Sequence, residues 1–164
     1  MKKILLSLTA IVAIALVGVW QFSEAAPSAP DVTFTDLQGQ SVTTQDLRGK
    51  VVLVKFWATS CVTCIAQMPD TIKHQQDLSP RGFETIAVAM QYDPPNYVKN
   101  YAETRKLPFP VVIDAQGKLA KAFGDVQLTP TAFLIDKQGH IIKRYLGNYD
   151  EQAFLATVEK ALAS

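Results

Sequence analysis

Cys61 and Cys64, the two cysteines of this sequence, are the residues whose type and spacing most clearly indicate chemistry. They follow an apolar, β-branched run at residues 51–54, which predicts a central strand covered on both faces. Beyond that strand the apolar residues recur at helical spacing, at Cys61, Ile65 and Met68. We therefore expect the cysteines to stand where a buried strand ends and a helix begins.

This predicted position favours redox chemistry. A thiol in the first turn of a helix faces unpaired backbone N–H groups and the positive end of the helix dipole, which favour the thiolate of Cys61. Cys61 is therefore the expected nucleophile. Cys64, one turn further along the same side, can attack a mixed disulfide at Cys61 and release the partner in reduced form. The pair is predicted to be a two-electron switch.

Composition disfavours several other functions. The chain has 164 residues, 48% of them apolar, which suits one domain of ordinary size. Its formal net charge of +1 argues against a nucleic-acid-binding surface. A zinc site needs about four ligands, and the other good candidates, His74 and His140, are both expected at the surface. We predict no metal and no cofactor other than the cysteine pair itself.

The first 25 residues have the features of a targeting segment. A basic start at residues 1–3 precedes an apolar run at residues 4–20, and small residues follow at positions 23 and 25, where a signal peptidase reads them. Because the run exceeds a usual signal core of about 7–15 residues but falls short of roughly 20, a cleaved signal peptide and an uncleaved membrane anchor both stay open. Residues 26–30 are predicted to be a linker, and residues 31–164 the folded domain.

The pattern beyond the linker predicts one α/β domain. Strands are expected at residues 32–35, 41–43, 51–57, 83–90, 111–113, 131–135 and 141–145, with helices from Cys61 onward, at residues 94–106 and 118–123, and at the C-terminus. Strand–helix–strand units imply parallel pairing, whereas the first two and the last two strands should form hairpins. Asn148, three residues before Glu151, is the expected cap of the last helix.

These features together resemble the thioredoxin superfamily. Phe56-Trp57-Ala58 stands before the cysteine pair, Pro69 lies five residues after the second cysteine, and Thr129-Pro130-Thr131 opens a strand. The exported start, the N-terminal hairpin and the insertion at residues 94–106 are more similar to the membrane-anchored TlpA and ResA branch. The resemblance implies a thioredoxin-like mixed sheet flanked by helices, with an N-terminal β-hairpin extension.

The resemblance also implies roles for residues outside the cysteine pair. Pro130 resembles the cis-proline that faces the disulfide, and Thr129 would then offer its backbone groups to an extended substrate. Trp57 resembles the tryptophan that shields the active site, although a core aromatic at the end of a strand is equally compatible. Substrate binding is therefore expected at Trp57, Thr129 and Pro130.

The departures from the family pattern include Ser60 and Thr63, where a tryptophan and a proline are usual, and two positions where a carboxylate is expected. Thioredoxins have a buried aspartate two residues before the tryptophan, where this chain has Lys55, and ResA-like proteins often have a glutamate where this chain has Gln67. A buried Lys55 would favour the thiolate, and its lowered pKa would make it a candidate catalytic base. The simpler expectation is that its stem packs while its ammonium reaches solvent.

The resemblance implies an exported thiol-disulfide oxidoreductase, a monomer in the bacterial periplasm. Val62 and Thr63 add little thiolate stabilisation between the cysteines, so a reducing pair is expected. A reductant in an oxidising compartment must be recharged, which implies a membrane electron donor of the DsbD or CcdA type. The expected clients are proteins with thiols or disulfides, such as apocytochrome c.

Two other functions stay open from the sequence. A peroxiredoxin-type peroxidase has a similar opening hairpin, but that family usually has threonine and proline where this chain has Ala58 and Val54. A non-catalytic or copper-handling binding module would keep the scaffold and lose turnover. Reduction of insulin by the reduced protein separates the oxidoreductase from both.

Overall fold

The computed structural model of the protein describes residues 26–164. In chain order its elements are β1 (Thr33–Thr35), β2 (Ser41–Thr43), β3 (Val51–Trp57), α1 (Val62–Leu78), a 3-10 turn (Ser79–Arg81), β4 (Phe83–Ala89), α2 (Pro95–Arg105), β5 (Val111–Ile113), α3 (Lys118–Ala122), β6 (Thr131–Ile135), β7 (Ile141–Leu146) and α4 (Glu151–Ala163). The targeting segment predicted at residues 1–25 lies outside the described residues. Within residues 26–164, no helix is long and apolar enough to cross a membrane.

A five-stranded mixed sheet in the order β5-β4-β3-β6-β7 forms the centre of the fold. Its middle strand, β3, pairs parallel with β4 and antiparallel with β6. All seven residues of β3 are buried, as its apolar sequence predicts. The hairpin β1-β2 forms a separate two-stranded sheet. This architecture confirms the predicted thioredoxin-like α/β class with an N-terminal hairpin.

Alternate residues of β3 supply the two faces of the core because successive strand residues point to opposite sides. Val52, Val54 and Phe56 pack with the hairpin and α3 on one face. The residues between them face α1 and α4 on the other. Since the strand is covered on both faces, its end is held firmly, and the cysteine motif begins at that end.

The segment expected to be a linker lies beside the start of β7. Ala29 donates its backbone N–H to Gly139 O at 2.9 Å, and Ile141 donates its N–H to Pro27 O at 2.8 Å. An isolated bridge joins Ser28 to His140 between these two bonds. The chain therefore makes backbone contacts with the sheet before β1 begins.

His74 differs from its predicted position at the surface. Its side chain is buried, its ring centroid lies 5.3 Å from that of Phe154, and its Nε2 lies 3.2 Å from Glu151 Oε1. Both partners belong to α4, which covers this side of α1. The spacing of apolar residues within α1 alone could not show that a second helix would cover the histidine.

The cap of α4 also differs from the prediction. Asp150 is the N-cap, and its carboxylate accepts the Ala153 N–H at 2.7 Å. Asn148 instead accepts a hydrogen bond from Gln67 Nε2 at 3.2 Å. Both residue types are favoured caps, so the sequence contained two candidates two positions apart.

Replacing Asp150 with alanine should lower the free energy of unfolding by about 1 kcal/mol, because the Ala153 N–H loses its cap. Asn148→Ala is the matched control and should cost less than about 0.5 kcal/mol, since that side chain is exposed and caps no helix. Urea unfolding of the two oxidised proteins measures both values. An equal or larger loss in Asn148→Ala would contradict this assignment of the cap.

Candidate active site

The two cysteines form a disulfide at the point where β3 gives way to α1. Cys61 is the N-cap of α1, with φ −86° and ψ 100°, and the Cα atoms of Cys61 and Cys64 are 5.2 Å apart. Cys61 is partly exposed, whereas Cys64 is fully buried. An incoming sulfur atom can therefore reach the pair only through Cys61.

The start of α1 is electrostatically suited to an anionic sulfur. Cys61 Sγ accepts the backbone N–H of Cys64 at 3.1 Å. The first turn of α1 contains no acidic residue that would oppose the positive end of the helix dipole. Both features favour the thiolate form of Cys61 once the disulfide is reduced.

Lys55 is fully buried, so the expectation that its ammonium reaches solvent is wrong. Its Nζ donates to Gln67 Oε1 at 3.0 Å and to Thr71 Oγ1 at 3.1 Å. Burial lowers the pKa of Lys55 from 10.5 to about 8, and the negative charge of Asp70 opposes this shift. The strand pattern could not reveal this burial, because it does not show that α1 lies over the charged end of the side chain.

Hydrogen bonds join Lys55 to the loop that carries Pro130. Gln67, which accepts from Lys55, donates through Nε2 to Gly147 O at 3.2 Å and to Asn148 Oδ1 at 3.2 Å. Gly147 in turn donates its N–H to Pro130 O at 2.8 Å. The buried lysine and the proline loop therefore belong to one hydrogen-bonded network.

In the loop before β6, Thr129 has backbone groups without a backbone hydrogen bond to the described residues, next to a cis peptide bond. The bond between Thr129 and Pro130 is cis. Within residues 26–164, the backbone N–H and C=O of Thr129 have no backbone partner. Thr129 Oγ1 lies 3.2 Å from the hydroxyl of Tyr92, which follows β4. Thr129 can therefore pair with an added strand without breaking a backbone hydrogen bond of the described residues.

Trp57 lies in the core on the same side as Cys64. Its side chain is fully buried and belongs to one apolar cluster with Cys64 and Met68, and its ring centroid lies 5.4 Å from that of Tyr101. The indole Nε1 has no hydrogen-bond partner within residues 26–164. Trp57 therefore supports the buried cysteine from the core.

Asp93 is a residue of this site that the sequence analysis missed. Its buried carboxylate accepts the backbone N–H of Thr59 at 2.6 Å and the Thr59 hydroxyl at 2.5 Å. The available signal was its place shortly after β4, because parallel neighbours bring their carboxyl ends to the same edge of a sheet.

No group of three potential metal-binding side chains is present in the described part of the chain. His74 contacts Glu151, and His140 Nδ1 lies 3.4 Å from Asp136 Oδ2. Neither histidine is brought to the cysteine pair.

Several apolar side chains are exposed near the edge of the sheet that carries the disulfide. Among residues 26–164, the large apolar or aromatic side chains that remain exposed are Val62, Tyr92, Tyr97, Leu128 and Leu146. Each follows the carboxyl end of β3 or β4, precedes β6, or ends β7. Strand pairing brings all of these ends to the same edge.

Known proteins resemble the chain over most of its length. The Redoxin family model matches residues 24–162. The thiol-disulfide oxidoreductase ResA of Bacillus thuringiensis is 35% identical over 129 residues, which cover 79% of this chain and 73% of the relative.

Solved structures also share the fold. A putative thioredoxin from Neisseria meningitidis has a TM-score of 0.79 and 37% identity, with 85% of this chain and 93% of that chain covered. A putative thiol:disulfide interchange protein DsbE from Chlorobium tepidum has a TM-score of 0.76 and 27% identity, with 85% and 98% covered. Together with the disulfide at the end of β3, these matches show that the chain belongs to the Redoxin family, as a TlpA- and ResA-like thiol-disulfide oxidoreductase of the thioredoxin superfamily.

Proposed function

We propose that the protein is an exported disulfide reductase that passes two electrons from its cysteine pair to other proteins. The observation that carries this proposal is the asymmetry of the pair. Cys61 is partly exposed at the start of α1, and Cys64 is fully buried beside it. One sulfur is placed to meet a partner and the other to complete the reaction internally.

The reaction proceeds in two exchanges. The Cys61 thiolate attacks one sulfur of a client disulfide, so that a mixed disulfide forms and the other client sulfur leaves as a thiolate. Cys64, deprotonated, then attacks Cys61 Sγ. The Cys61–Cys64 disulfide forms, and the second client sulfur leaves as a thiolate. The client gains two electrons and the enzyme loses two.

The client is proposed to bind as an extended segment along the loop of Thr129 and Pro130. The backbone groups of Thr129 have no backbone partner within residues 26–164, and strand addition would use them. The exposed apolar side chains at this edge favour a polypeptide over a small polar disulfide. Trp57 is proposed to pack against Cys64 in the core, since its side chain is fully buried in the same apolar cluster.

Lys55 is proposed to act on the proton of Cys64. It binds Gln67, which lies one turn after Cys64 in α1, and it shares a face of β3 with Trp57. A charged ammonium at this place would stabilise a thiolate, and a neutral amine would accept a proton. With a pKa near 8, Lys55 can adopt either state at moderate pH.

The proposed cellular setting is supported by the family resemblance. The proposed clients are exported thiol proteins such as oxidised apocytochrome c, and the proposed source of electrons is a membrane protein of the DsbD or CcdA type. Residues 1–25 are proposed to export the chain to the periplasm, either as a cleaved signal or as an anchor through residues 4–20. The domain, residues 31–164, is proposed to work as a monomer without an added cofactor.

Trapping tests the assignment of the two sulfur atoms. Reduced Cys64→Ser protein mixed with insulin should accumulate a mixed disulfide through Cys61, because the internal exchange that resolves it is missing. Cys61→Ser should form no such adduct and should reduce insulin no faster than the buffer. Mass spectrometry under non-reducing conditions identifies the adduct. An adduct on Cys64, or turnover by Cys61→Ser, would contradict the mechanism.

The midpoint potential tests the direction of electron flow. Equilibration with glutathione or dithiothreitol should give a value near that of thioredoxin, about −270 mV, since neither residue between the cysteines stabilises a thiolate strongly. Thr63→His, which adds such a group, should shift the potential towards oxidising values. A wild-type potential near the DsbA value of about −120 mV would instead indicate an oxidase.

Lys55→Met should change the pH dependence of stability. Between pH 8 and 10.5 the unfolded chain binds more protons at Lys55 than the folded chain does, so this residue's contribution to the free energy of unfolding rises with pH. The stability of the wild type relative to Lys55→Met should therefore increase by about 1–3 kcal/mol between pH 7.5 and 10.

Urea unfolding of the oxidised proteins at the two pH values measures this increase. Lys143→Met removes an exposed lysine from β7 and serves as the control, for which the difference should not depend on pH. The role in catalysis is tested separately by the rate of the second exchange, which should lose its rise near pH 8 in Lys55→Met. A rate profile identical to that of the wild type removes Lys55 from the mechanism.

A further inference from the structure

We propose that Asp93 is a positioning residue for Cys61, and that it acts by fixing the turn between β3 and α1. The inference rests on the proposed role of Cys61 as the nucleophile. It concerns the segment that follows β4, which shares no sequence motif with the cysteine pair and lies about thirty residues after it in the chain.

Both carboxylate oxygens of Asp93 are used on one residue. Oδ2 accepts the backbone N–H of Thr59 and Oδ1 accepts its hydroxyl, at 2.6 and 2.5 Å. Asp93 is only 2% exposed, and a buried carboxylate is costly unless it is hydrogen-bonded. Charge-assisted bonds of this length are strong. The two hydrogen bonds to Thr59 therefore offset the cost of burying Asp93.

The segment that carries Asp93 is itself attached to the end of β3. Met90 donates its backbone N–H to Trp57 O at 3.0 Å, and Asp93 donates its own N–H to Met90 O at 2.9 Å. Thr59 is two residues beyond Trp57 and two residues before Cys61. The turn is thus held at two points, at Trp57 by a backbone hydrogen bond and at Thr59 by the carboxylate.

The residue next to Asp93 contacts the opposite side of the site. Tyr92 places its hydroxyl 3.2 Å from Thr129 Oγ1, in the loop before Pro130. Two consecutive side chains therefore contact the turn before Cys61 and the loop before Pro130. The turn that delivers Cys61 and the loop proposed to bind the client are braced by the same short stretch of chain.

The chemical effect of this brace is on the sulfur at the helix start. Cys61 Sγ accepts the Cys64 N–H at 3.1 Å, and the turn that Asp93 contacts leads directly into the residue that makes this bond. If the turn relaxes, the sulfur moves away from the N–H groups that favour its thiolate. Loss of the hydrogen bonds from Thr59 to the Asp93 carboxylate should therefore raise the pKa of the Cys61 thiol.

Asp93→Ala and Asp93→Asn separate position from charge. Both remove the negative charge, but asparagine can still accept the Thr59 N–H and donate to its hydroxyl. In the full-length reduced proteins, the rate of iodoacetamide alkylation against pH gives the pKa of Cys61. We expect the pKa in Asp93→Ala to exceed that in Asp93→Asn by about half a unit, as loss of a helix-terminus interaction implies.

Asp114→Ala is the matched control. Asp114 is also a buried carboxylate beyond a strand end of this edge, and it accepts the N–H groups of Leu119 and Ala120 at 3.2 and 2.8 Å. Its loss should lower stability without moving the alkylation profile. A shift in Asp114→Ala equal to that in Asp93→Ala would show a general loosening and overturn the inference, as would equal profiles for the two Asp93 variants.

Thr59→Val and Thr59→Ser keep the test decisive if Asp93→Ala fails to fold. Serine retains the hydroxyl that donates to Asp93, whereas valine removes it and leaves the backbone bond in place. The Cys61 pKa should be higher in Thr59→Val than in Thr59→Ser, and equal values would overturn the inference. Turnover by Cys61→Ser would instead contradict the proposed function, so the two failures are distinguishable.

Discussion

The burial of β3 on both faces is the constraint on which the rest of the structure depends. Every side chain of this strand is enclosed, between a parallel and an antiparallel neighbour, with α1 and α4 on one face and the hairpin and α3 on the other. A strand held in this way ends at a defined point in space, and the chain leaves it directly into the cysteine motif. The reactive sulfur changes its bonding partner but keeps its position, because the strand before it and the helix after it both pack in the core.

Lys55 is the exception within that strand, and its partners explain how it is tolerated. The partners of its ammonium are an amide oxygen and a hydroxyl, both neutral. A glutamate at position 67 would form a buried ion pair and raise the lysine pKa, whereas Gln67 satisfies the hydrogen bond and leaves desolvation as the dominant effect. The departures from the family pattern at positions 55 and 67 are therefore parts of one arrangement.

Most of the fold could be predicted because local sequence patterns specify its strands, helices and turns. The apolar run of β3, the turns of both hairpins and the helical spacing after Cys61 each specify an element within a few residues of sequence. The errors concern contacts between distant elements. His74 and Lys55 are buried by helices that the pattern of a single element cannot place, and Asp93 meets Thr59 across 34 positions of sequence. Asp150 and Asn148 were chemically equivalent as caps, and only the path of the chain after β7 distinguishes them.

The full burial of Cys64 affects how the protein responds to unwanted disulfide crosslinks with other proteins. Any covalent crosslink with a wrong partner, including a second copy of the same chain, has to begin at Cys61. In the proposed mechanism, Cys64 can then break the crosslink by attacking Cys61 Sγ, without a soluble thiol. Because Cys64 is buried, no outside molecule can react with it first. Under the proposed mechanism, accidental crosslinks are therefore resolved internally, and each leaves the protein with its Cys61–Cys64 disulfide formed.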